Sequence, residues 1–255
     1  MSVRTEDLDF GVRRIVIARP QARNAINDEV RRGLEQALDR AVDDRGVRAV
    51  ILAGEGADFS VGGDITFLQR LDRADLLAFH RDALALVRKL AGFTKPLVAS
   101  VRGACAGGSV GFALCADYLV ASRTAHFGVQ FMRIGLTPDM ATLYFLHQRL
   151  GKRAQQLVLD DRLVRAEEAA ALGLCDKLVE DDALDGECIA LATRLAALAP
   201  KAFRQTKWLF RRTEGEFERF LNDEMTAAAD CLGSSEFVEG TRAFFEKQAP
   251  QFDAL

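Results

Sequence analysis

Two glycine-rich segments have the residue pattern that suits chemistry at a carbonyl group. Phe59–Ile65 (FSVGGDI) and Gly103–Asp117 (GACAGGSVGFALCAD) each follow an apolar, strand-like run and place glycines just before a predicted helix. Glycine lets the backbone approach a ligand closely, and the unpaired N–H groups at a helix start point outward with the positive end of its dipole. Two such loops facing one another offer two N–H donors to one carbonyl oxygen. The pattern therefore predicts an oxyanion hole.

The elements that position these loops alternate between strands and helices. Val12–Arg19 alternates apolar and polar residues, which predicts a strand, and Val47–Ala53 is a continuous apolar run typical of a buried strand. Asn27 is a predicted N-cap of a helix with one apolar face, formed by Val30, Leu34, Leu38 and Val42. Further strands are predicted over Leu97–Val101 and Tyr118–Ala121, and further helices over Asp64–Leu71, Asp75–Ala91, Gly107–Cys115 and Met140–Gly151. This order favours an α/β fold with parallel strand pairing.

The last quarter of the chain has a different character. From about Leu184 it is almost purely helical, and helices are predicted over Lys201–Arg212, Gly215–Leu232 and Ser235–Gln248. An apolar stripe there must pack on another surface, either the core of the same subunit or a second subunit: Phe217, Phe220, Leu221 and Met225.

Composition limits the class of protein and its compartment. The chain has 255 residues, 49% hydrophobic residues and a net charge of −3, which describes an ordinary globular protein with no sign of nucleic-acid binding. Its five cysteines lack metal-site spacing and predict reduced thiols in a cytoplasmic protein. The polar, acidic start predicts no signal peptide, and no apolar run is long enough to span a bilayer.

With the spacing between them, the two glycine segments resemble the crotonase (enoyl-CoA hydratase/isomerase) superfamily. The resemblance extends from VRRIVIARPQARNAIN near the start to AFFEKQAPQF at the end. It implies a crotonase-like spiral of ββα repeats with a CoA-thioester site in residues 1–195. It also implies a C-terminal helical subdomain in residues 196–255 that builds a homotrimer or a dimer of trimers. Coenzyme A is then part of the acyl-CoA substrate, and no separate cofactor, metal, membrane or nucleic-acid partner is expected.

The resemblance also assigns roles to individual residues. The backbone N–H groups of Gly63 and Gly108 are the expected oxyanion donors, and Asp64 is expected to cap the next helix or brace the loop. Arg23 matches a CoA-binding position, with an exposed surface arginine as the alternative, and Lys247 matches a basic position that reaches a CoA phosphate across a subunit interface. The other substrate-binding positions implied by the resemblance are Ala25, Val61, Gly62, Asp64, Ile65 and Phe131.

Two departures from the hydratase pattern bear on the reaction. Hydratases carry one glutamate where this chain has Gly111 and a second where it has Phe131. Glycine and phenylalanine cannot hold a water or exchange a proton with the α-carbon, so ordinary hydration is not expected.

One acid remains nearby. Asp139, in the stretch GLTPD, sits where several relatives have a functional aspartate, including double-bond and ring-epoxide isomerases and aryl-CoA dehalogenases. Apolar surroundings formed by Phe127, Phe131 and Met132 would raise its pKa, which suits a general acid/base. The alternative is an N-cap for a helix that begins at Met140.

These residues predict an enzyme that isomerises the double bond or epoxide of an acyl-CoA. A bulky or aromatic acyl group is expected, in a pocket formed by Phe67, Phe79, Phe127 and Phe131. An alternative is an aryl-CoA dehalogenase-like hydrolase with Asp139 as nucleophile, against which no histidine stands in register to activate water. His80, His126 and His147 are each interpreted as structural, although in some relatives the region of His80 covers the acyl pocket. A second alternative is a non-catalytic acyl-CoA-binding or RNA-binding relative.

Overall fold

The computed structural model of this chain describes residues 2–212 and 217–251. Within them lie a six-stranded sheet, a three-stranded sheet and eleven α-helices. The large sheet has the order β1 (Val3–Asp7), β2 (Val12–Ile17), β3 (Ala49–Gly54), β4 (Leu97–Val101), β6 (Tyr118–Ser122) and β9 (Lys177–Val179). Only its β1–β2 pair is antiparallel; the other neighbours are parallel, which confirms the α/β class and the parallel pairing.

The small sheet has the order β5 (Ala104–Ala106), β7 (His126–Gly128) and β8 (Leu163–Arg165). The first seven helices are α1 (Asp28–Asp43), α2 (Ile65–Leu68), α3 (Arg73–Ala91), α4 (Gly108–Leu114), α5 (Thr142–Leu150), α6 (Lys152–Leu159) and α7 (Ala166–Leu172). The last four are α8 (Leu184–Ala196), α9 (Pro200–Arg212), α10 (Phe217–Leu232) and α11 (Ser235–Glu246). None of the helices in the described part of the chain combines the length and the apolar character needed to cross a bilayer.

The large sheet has a hydrophobic core on each face, as β3 illustrates. Val50 and Leu52 enter the core formed with α1 and α3, whereas Ala49 and Ile51 face α8. Successive side chains of a strand point to opposite faces, so a strand covered on both sides must be apolar throughout. This explains the continuous apolar run that the sequence shows there.

Local signals placed α1 correctly except at its end. The Asn27 side chain accepts the Val30 N–H at 3.0 Å, as predicted for the N-cap. Val30, Leu34 and Leu38 are buried, but Val42 is 40% exposed, and the buried residue in the last turn is Ala41. The prediction for Val42 was therefore wrong by one position on the helix.

The apolar stripe of the C-terminal helices packs on the same chain. Leu221 is fully buried in the main core, and the Phe217 and Phe220 rings lie 4.7 and 5.4 Å from the ring of Tyr144 on α5. Of the two alternatives for this stripe, the core of the same subunit is confirmed. The trimer and the division near residue 195 stay predictions.

Candidate active site

The first glycine loop is held by the segment that precedes α1. The side-chain amide of Asn24 accepts the Arg19 N–H at 2.9 Å and donates to the carbonyl oxygens of Glu55 and Asp58 at 2.9 and 2.7 Å. Arg19 in turn donates to the Ala25 carbonyl at 2.7 Å. Since Asn24 is fully buried, this network fixes the backbone that runs beside the loop.

A short strand-like bridge then sets the orientation of Gly63. The Ile26 N–H donates to the Gly62 carbonyl at 2.7 Å, and the Asp64 N–H donates to the Ile26 carbonyl at 2.9 Å. The Gly62 carbonyl and the Asp64 N–H, on either side of Gly63, are thereby hydrogen-bonded. The Gly63 N–H has no acceptor among the described residues. The Asp64 carboxylate accepts the Phe67 N–H at 3.1 Å and lies 3.1 Å from the Arg19 guanidinium, so it both caps α2 and braces the loop, as expected.

The second glycine loop packs against the first, backbone to backbone. A Cβ on Gly62, whose φ is +88°, would stand 2.6 Å from the Ala106 carbonyl oxygen. The buried hydroxyl of Ser109 donates to the carbonyls of Ser60 and Ala106 at 2.8 and 2.7 Å, which joins the two loops directly. Gly108 begins α4, and its N–H likewise has no acceptor in the part of the chain that the structure describes. Gly63 and Gly108 line one cavity, which is the arrangement two donors to one oxygen require.

Asp139 lies on an unusual turn that enters this cavity. Met140 and Ala141 have φ values of +55° and +56°, so two consecutive non-glycine residues adopt the left-handed backbone conformation. The helix α5 therefore begins only at Thr142. Such residues cost on the order of 1–3 kcal/mol each and persist only where the surroundings hold them. The Thr142 N–H bonds to the backbone carbonyl of Asp139 at 3.0 Å, not to its side chain. The helix-cap alternative for Asp139 is therefore wrong.

The Asp139 carboxyl group stands beside the second oxyanion glycine. Its Oδ1 is 3.1 Å from the point that a Cβ on Gly108 would occupy, and this oxygen is buried with no hydrogen-bond partner. Burial raises the pKa of Asp139 to about 7. A carboxyl group with such a pKa exchanges protons readily at neutral pH, which is what a general acid/base needs.

His80 shares this environment. Its Nδ1 lies 3.8 Å from Oδ2 of Asp139, which is too long for a hydrogen bond, and its buried Nε2 has no partner among the described residues. Burial lowers the pKa of His80 to about 4, so the ring is neutral at pH 7. The sequence shows no histidine in register to activate water beside Asp139, but the α3 helix brings His80 across to the turn.

Glu224 on α10 is a site residue that no sequence pattern signalled. Its carboxylate oxygens accept the Ala141 N–H at 3.1 and 2.9 Å, and the residue is 5% exposed. Burial, together with repulsion from the Asp139 charge, raises the pKa of Glu224 to about 8. Glu224 thus anchors the left-handed turn that carries Asp139.

The same turn explains why position 111 has no side chain. A Cβ on Gly111 would stand 2.0 Å from the Met140 carbonyl oxygen and 2.9 Å from Oγ1 of Thr142. The space of a side chain at this position is filled by the backbone of the turn. A glutamate there is incompatible with the observed position of Asp139.

The cavity is small and largely apolar. Its volume is about 50 Å³, well below the roughly 300–1,000 Å³ of typical small-molecule sites. Its lining residues are Ile26, Gly63, Leu68, Leu76, Phe79, His80, Ala83, Gly108, Ser109, Phe112, Leu136, Asp139, Met140 and Leu232.

Of the predicted aromatic pocket, only Phe79 lines the cavity, and its ring contacts that of Phe67 at a centroid distance of 5.3 Å. Phe127 and Phe131 are buried without lining this cavity, and Met132 is exposed, so the cavity lacks the predicted aromatic lining at these positions. Substrate binding by Phe131 stays a prediction. The alternating pattern around Phe127 and Phe131 predicts burial but does not say which cavity a ring faces.

The predicted CoA-binding residues lie outside the cavity. Arg23 is exposed and has a left-handed backbone conformation, and its guanidinium pairs with Asp58 at 2.8 Å. Asp58 also accepts the Ala104 N–H at 2.7 Å. Lys247 is exposed at the end of α11. Ala25 is buried beside the first loop, and Val61 and Ile65 are half-buried within it. Their role in holding CoA stays a prediction.

Comparisons with known proteins agree with this fold. The family model described as enoyl-CoA hydratase/isomerase matches residues 8–254. A putative enoyl-CoA hydratase of Thermus thermophilus is 35% identical over 237 residues, covering 91% of this chain and 94% of that protein. A trans-2-decenoyl-[acyl-carrier-protein] isomerase of Streptococcus mutans is 30% identical and covers 96% of each chain.

A solved structure of the same family has the same fold. The crystal structure of an enoyl-CoA hydratase/isomerase from Pseudoalteromonas atlantica superposes with a TM-score of 0.90 at 31% identity, covering 99% of this chain and 100% of that one. The fold and the paired glycine loops define a crotonase-type protein. This chain belongs to the enoyl-CoA hydratase/isomerase family.

Proposed function

We propose that this protein isomerises the acyl group of a CoA thioester by moving one proton between two carbons, with Asp139 as the base and acid. The observation that carries this proposal is the position of the Asp139 carboxyl group: buried, unpartnered at Oδ1, and beside Gly108. A single carboxylate suffices to remove a proton and return it elsewhere, whereas adding water across a double bond in the hydratase manner uses two.

The chemistry follows from the two parts of the site. The thioester oxygen accepts the N–H groups of Gly63 and Gly108, which stabilise the negative charge that forms there when a proton leaves the α-carbon. Each such donor typically contributes on the order of 3 kcal/mol. For a β,γ-unsaturated acyl group, ionised Asp139 takes the α-proton, the charge spreads to the γ-carbon, and protonated Asp139 returns the proton at that carbon. The double bond moves by one position, and the enzyme ends in its starting state.

Relatives support both a hydratase and an isomerase name. The Thermus thermophilus protein is named a putative enoyl-CoA hydratase, and the Streptococcus mutans protein is named a trans-2-decenoyl-[acyl-carrier-protein] isomerase. The absence of a side chain at Gly111 favours the isomerase for this chain, because the turn of Met140 fills the space of the first hydratase glutamate.

The proximity of His80 to Asp139 favours a second candidate, an aryl-CoA hydrolase. Here Asp139 attacks the aryl carbon and expels a halide, and neutral His80 removes a proton from the water that cleaves the resulting ester. The net reaction replaces the halide by a hydroxyl group and releases a proton. At 3.8 Å from Asp139, His80 is near enough to reach such a water.

Proton exchange in deuterated water tests the isomerase proposal. A panel of saturated and unsaturated acyl-CoA thioesters is incubated with the protein, and mass spectrometry follows deuterium at the α- and γ-carbons. We expect deuterium uptake and double-bond migration for an unsaturated thioester. Oxygen-18 from labelled water in an aryl product would instead support the hydrolase, and binding without exchange or turnover would indicate a non-catalytic acyl-CoA-binding relative.

A further inference from the structure

A second and larger groove lies apart from the catalytic cavity, on the α8 face of the large sheet. It is at the carboxyl ends of β2, β3 and β4, beside the first turn of α8, and its volume is about 610 Å³. That volume is within the roughly 300–1,000 Å³ of typical small-molecule sites. The groove and the catalytic cavity share no lining residue in the part of the chain that the structure describes. We call it the arginine groove, after the three arginines that line it: Arg4, Arg14 and Arg102.

The floor of the arginine groove consists of small or apolar side chains. Val16, Ala53 and Ser100 line it and stand side by side on neighbouring strands, in the registers Val16–Ala53 and Ala53–Ser100. Ala53 is two residues beyond Ile51 on β3, so it points to the same face of the sheet. Val16 and Ala53 are each 9% exposed and Ser100 is 4% exposed. This floor suits a compact apolar group.

Arg14 is a half-buried charge in the groove whose hydrogen-bonding capacity is unused. Its side chain is 20% exposed, and the ion pair that it forms with Oε2 of Glu6 is 3.6 Å long, too long for a hydrogen bond. Its guanidinium group donates no hydrogen bond to any residue that the structure describes. Polar groups withdrawn from water are normally hydrogen-bonded, so the free N–H groups of Arg14 favour an acceptor supplied by a ligand.

The other two arginines of the groove are already paired. Nη2 of Arg4 lies 2.6 Å from Glu55, and Nη2 of Arg102 lies 3.1 Å from Asp185 at the start of α8. Together with Glu6, these acids balance the three arginines in charge. The groove therefore has no net positive field that would attract a highly charged anion, and a ligand must be recognised by local contacts.

Arg14 and Arg102 act on the same part of the floor. Burial raises the pKa of the Cys188 thiol to about 11, and the charge of Asp185 adds to this rise. A hydrogen bond with Ser100 and the charges of Arg14 and Arg102 oppose it. Since Coulomb interactions weaken with distance, both guanidinium groups lie near the thiol beneath Ser100.

We infer that the arginine groove binds a small monocarboxylate with a compact apolar body. The two carboxylate oxygens accept the forked N–H groups of Arg14, a pairing that matches a guanidinium group and a carboxylate in shape and charge. The apolar body lies on Val16 and Ala53. Because the groove is separate from the catalytic cavity, a carboxylate and a thioester can be bound at the same time.

Benzoate is the probe, since its ring is apolar and its carboxylate is ionised at pH 7. Calorimetry gives its dissociation constant for the wild type, Arg14→Gln and Arg14→Lys. We expect a wild-type constant on the order of 1 mM. Arg14→Gln should bind benzoate at least ~10-fold more weakly, with Arg14→Lys in between because it keeps the charge without the fork. Arg4→Gln is the matched control, since Arg4 lines the same groove but is paired with Glu55, and it should stay within about twofold of the wild type.

Ala53→Leu tests the floor without changing a charge. The larger side chain occupies the place of the benzoate ring, so we expect binding to weaken at least ~10-fold, while urea unfolding checks that the variant is folded. Unchanged benzoate binding in Arg14→Gln and Ala53→Leu would overturn the inference, and so would tighter binding of inorganic phosphate than of benzoate. His80→Gln reports on the catalytic cavity: a loss there as large as in Arg14→Gln would place benzoate in that cavity and overturn the inference as well. Absence of wild-type binding at about 20 mM benzoate would do the same.

Discussion

The carboxyl group of Glu224 accepts the backbone N–H of Ala141, with its two oxygens at 3.1 and 2.9 Å from that nitrogen. This contact joins α10 to the turn that presents Asp139, across 83 residues of sequence. Because Ala141 is left-handed, the turn needs an external partner to keep its shape. The proposed base is thus held in place by an acid that does not itself line the cavity.

Replacing Asp139 by asparagine tests the base directly. The amide keeps the size of the side chain but cannot take a proton, so we expect α-proton exchange to fall by ~10²-fold or more while thioester binding is retained. Asp161→Asn is a suitable control, because Asp161 also has a buried oxygen without a partner and lies outside the cavity. Unchanged exchange in Asp139→Asn would remove the catalytic assignment.

The raised pKa values predict opposite trends for rate and stability. Exchange needs ionised Asp139, so its rate should rise as pH increases through about 7. The folded state raises the pKa of both Asp139 and Glu224 above their unfolded values, so their contribution to stability is present at acidic pH and is lost as pH rises through about 7 to 8. Urea unfolding between about pH 5 and pH 9 measures this loss. Asp139→Asn should flatten the profile, and a profile as steep as that of the wild type would contradict the stated cause.

The role of Glu224 is tested by comparing glutamine with alanine. Glu224→Gln retains an acceptor for the Ala141 N–H, whereas Glu224→Ala leaves that buried group unsatisfied at a cost of about 1–3 kcal/mol. Near pH 6, we expect Glu224→Ala to lower exchange at least ~10-fold with substrate binding retained, and Glu224→Gln to stay within a few-fold of the wild type. The neighbouring, exposed Asp223 offers the control Asp223→Ala. Equal losses in the alanine and glutamine variants would argue against a positioning role.

Gly111 provides a steric test of why this chain departs from the hydratases. We expect crotonyl-CoA hydration by the wild type to stay far below the ~10 s⁻¹ of a typical enzyme, and Gly111→Glu not to restore it. Gly111→Ala should destabilise the protein by about 1–3 kcal/mol, since its Cβ would stand 2.0 Å from the Met140 carbonyl oxygen. Gly186→Ala, in α8 with open space around it, should be neutral or stabilising. Rapid hydration by Gly111→Glu would show that the turn at Met140 moves to make room for a side chain at position 111.

His80 separates the two proposed reactions. In the isomerase, His80 transfers no proton, so His80→Gln should change exchange by no more than a few-fold. In the hydrolase the same change should slow release of the aryl product by ~10²-fold or more, because the water loses its base. Measuring proton exchange and aryl-product release on the His80→Gln variant decides which of the two reactions Asp139 and His80 support.

Local sequence signals predicted the parts of the site that lie close together along the chain. The two glycine loops, the N-cap at Asn27 and the bounds of β4 all follow from short-range patterns, and each is confirmed in position. By contrast, Glu224 and His80 reach Asp139 only through packing between distant elements, which periodicity does not encode. Met140 and Ala141 adopt the left-handed backbone conformation although neither is a glycine, so the sequence gives no signal for it. The predicted helix therefore began two residues too early.

The dependence of the turn on α10 also sets an order of assembly during synthesis. The contacts of both glycine loops are made by residues up to Gly128, whose carbonyl accepts the Gly107 N–H, but the partner of Ala141 lies 83 residues beyond Ala141. A domain generally folds as a unit, and Leu221 of α10 is fully buried in the main core, so a nascent chain that ends before α10 lacks part of that core as well as the anchor of its base. The site is therefore expected to form only after the chain has been synthesised through Glu224, which keeps the Asp139 carboxyl group out of its reactive position until then.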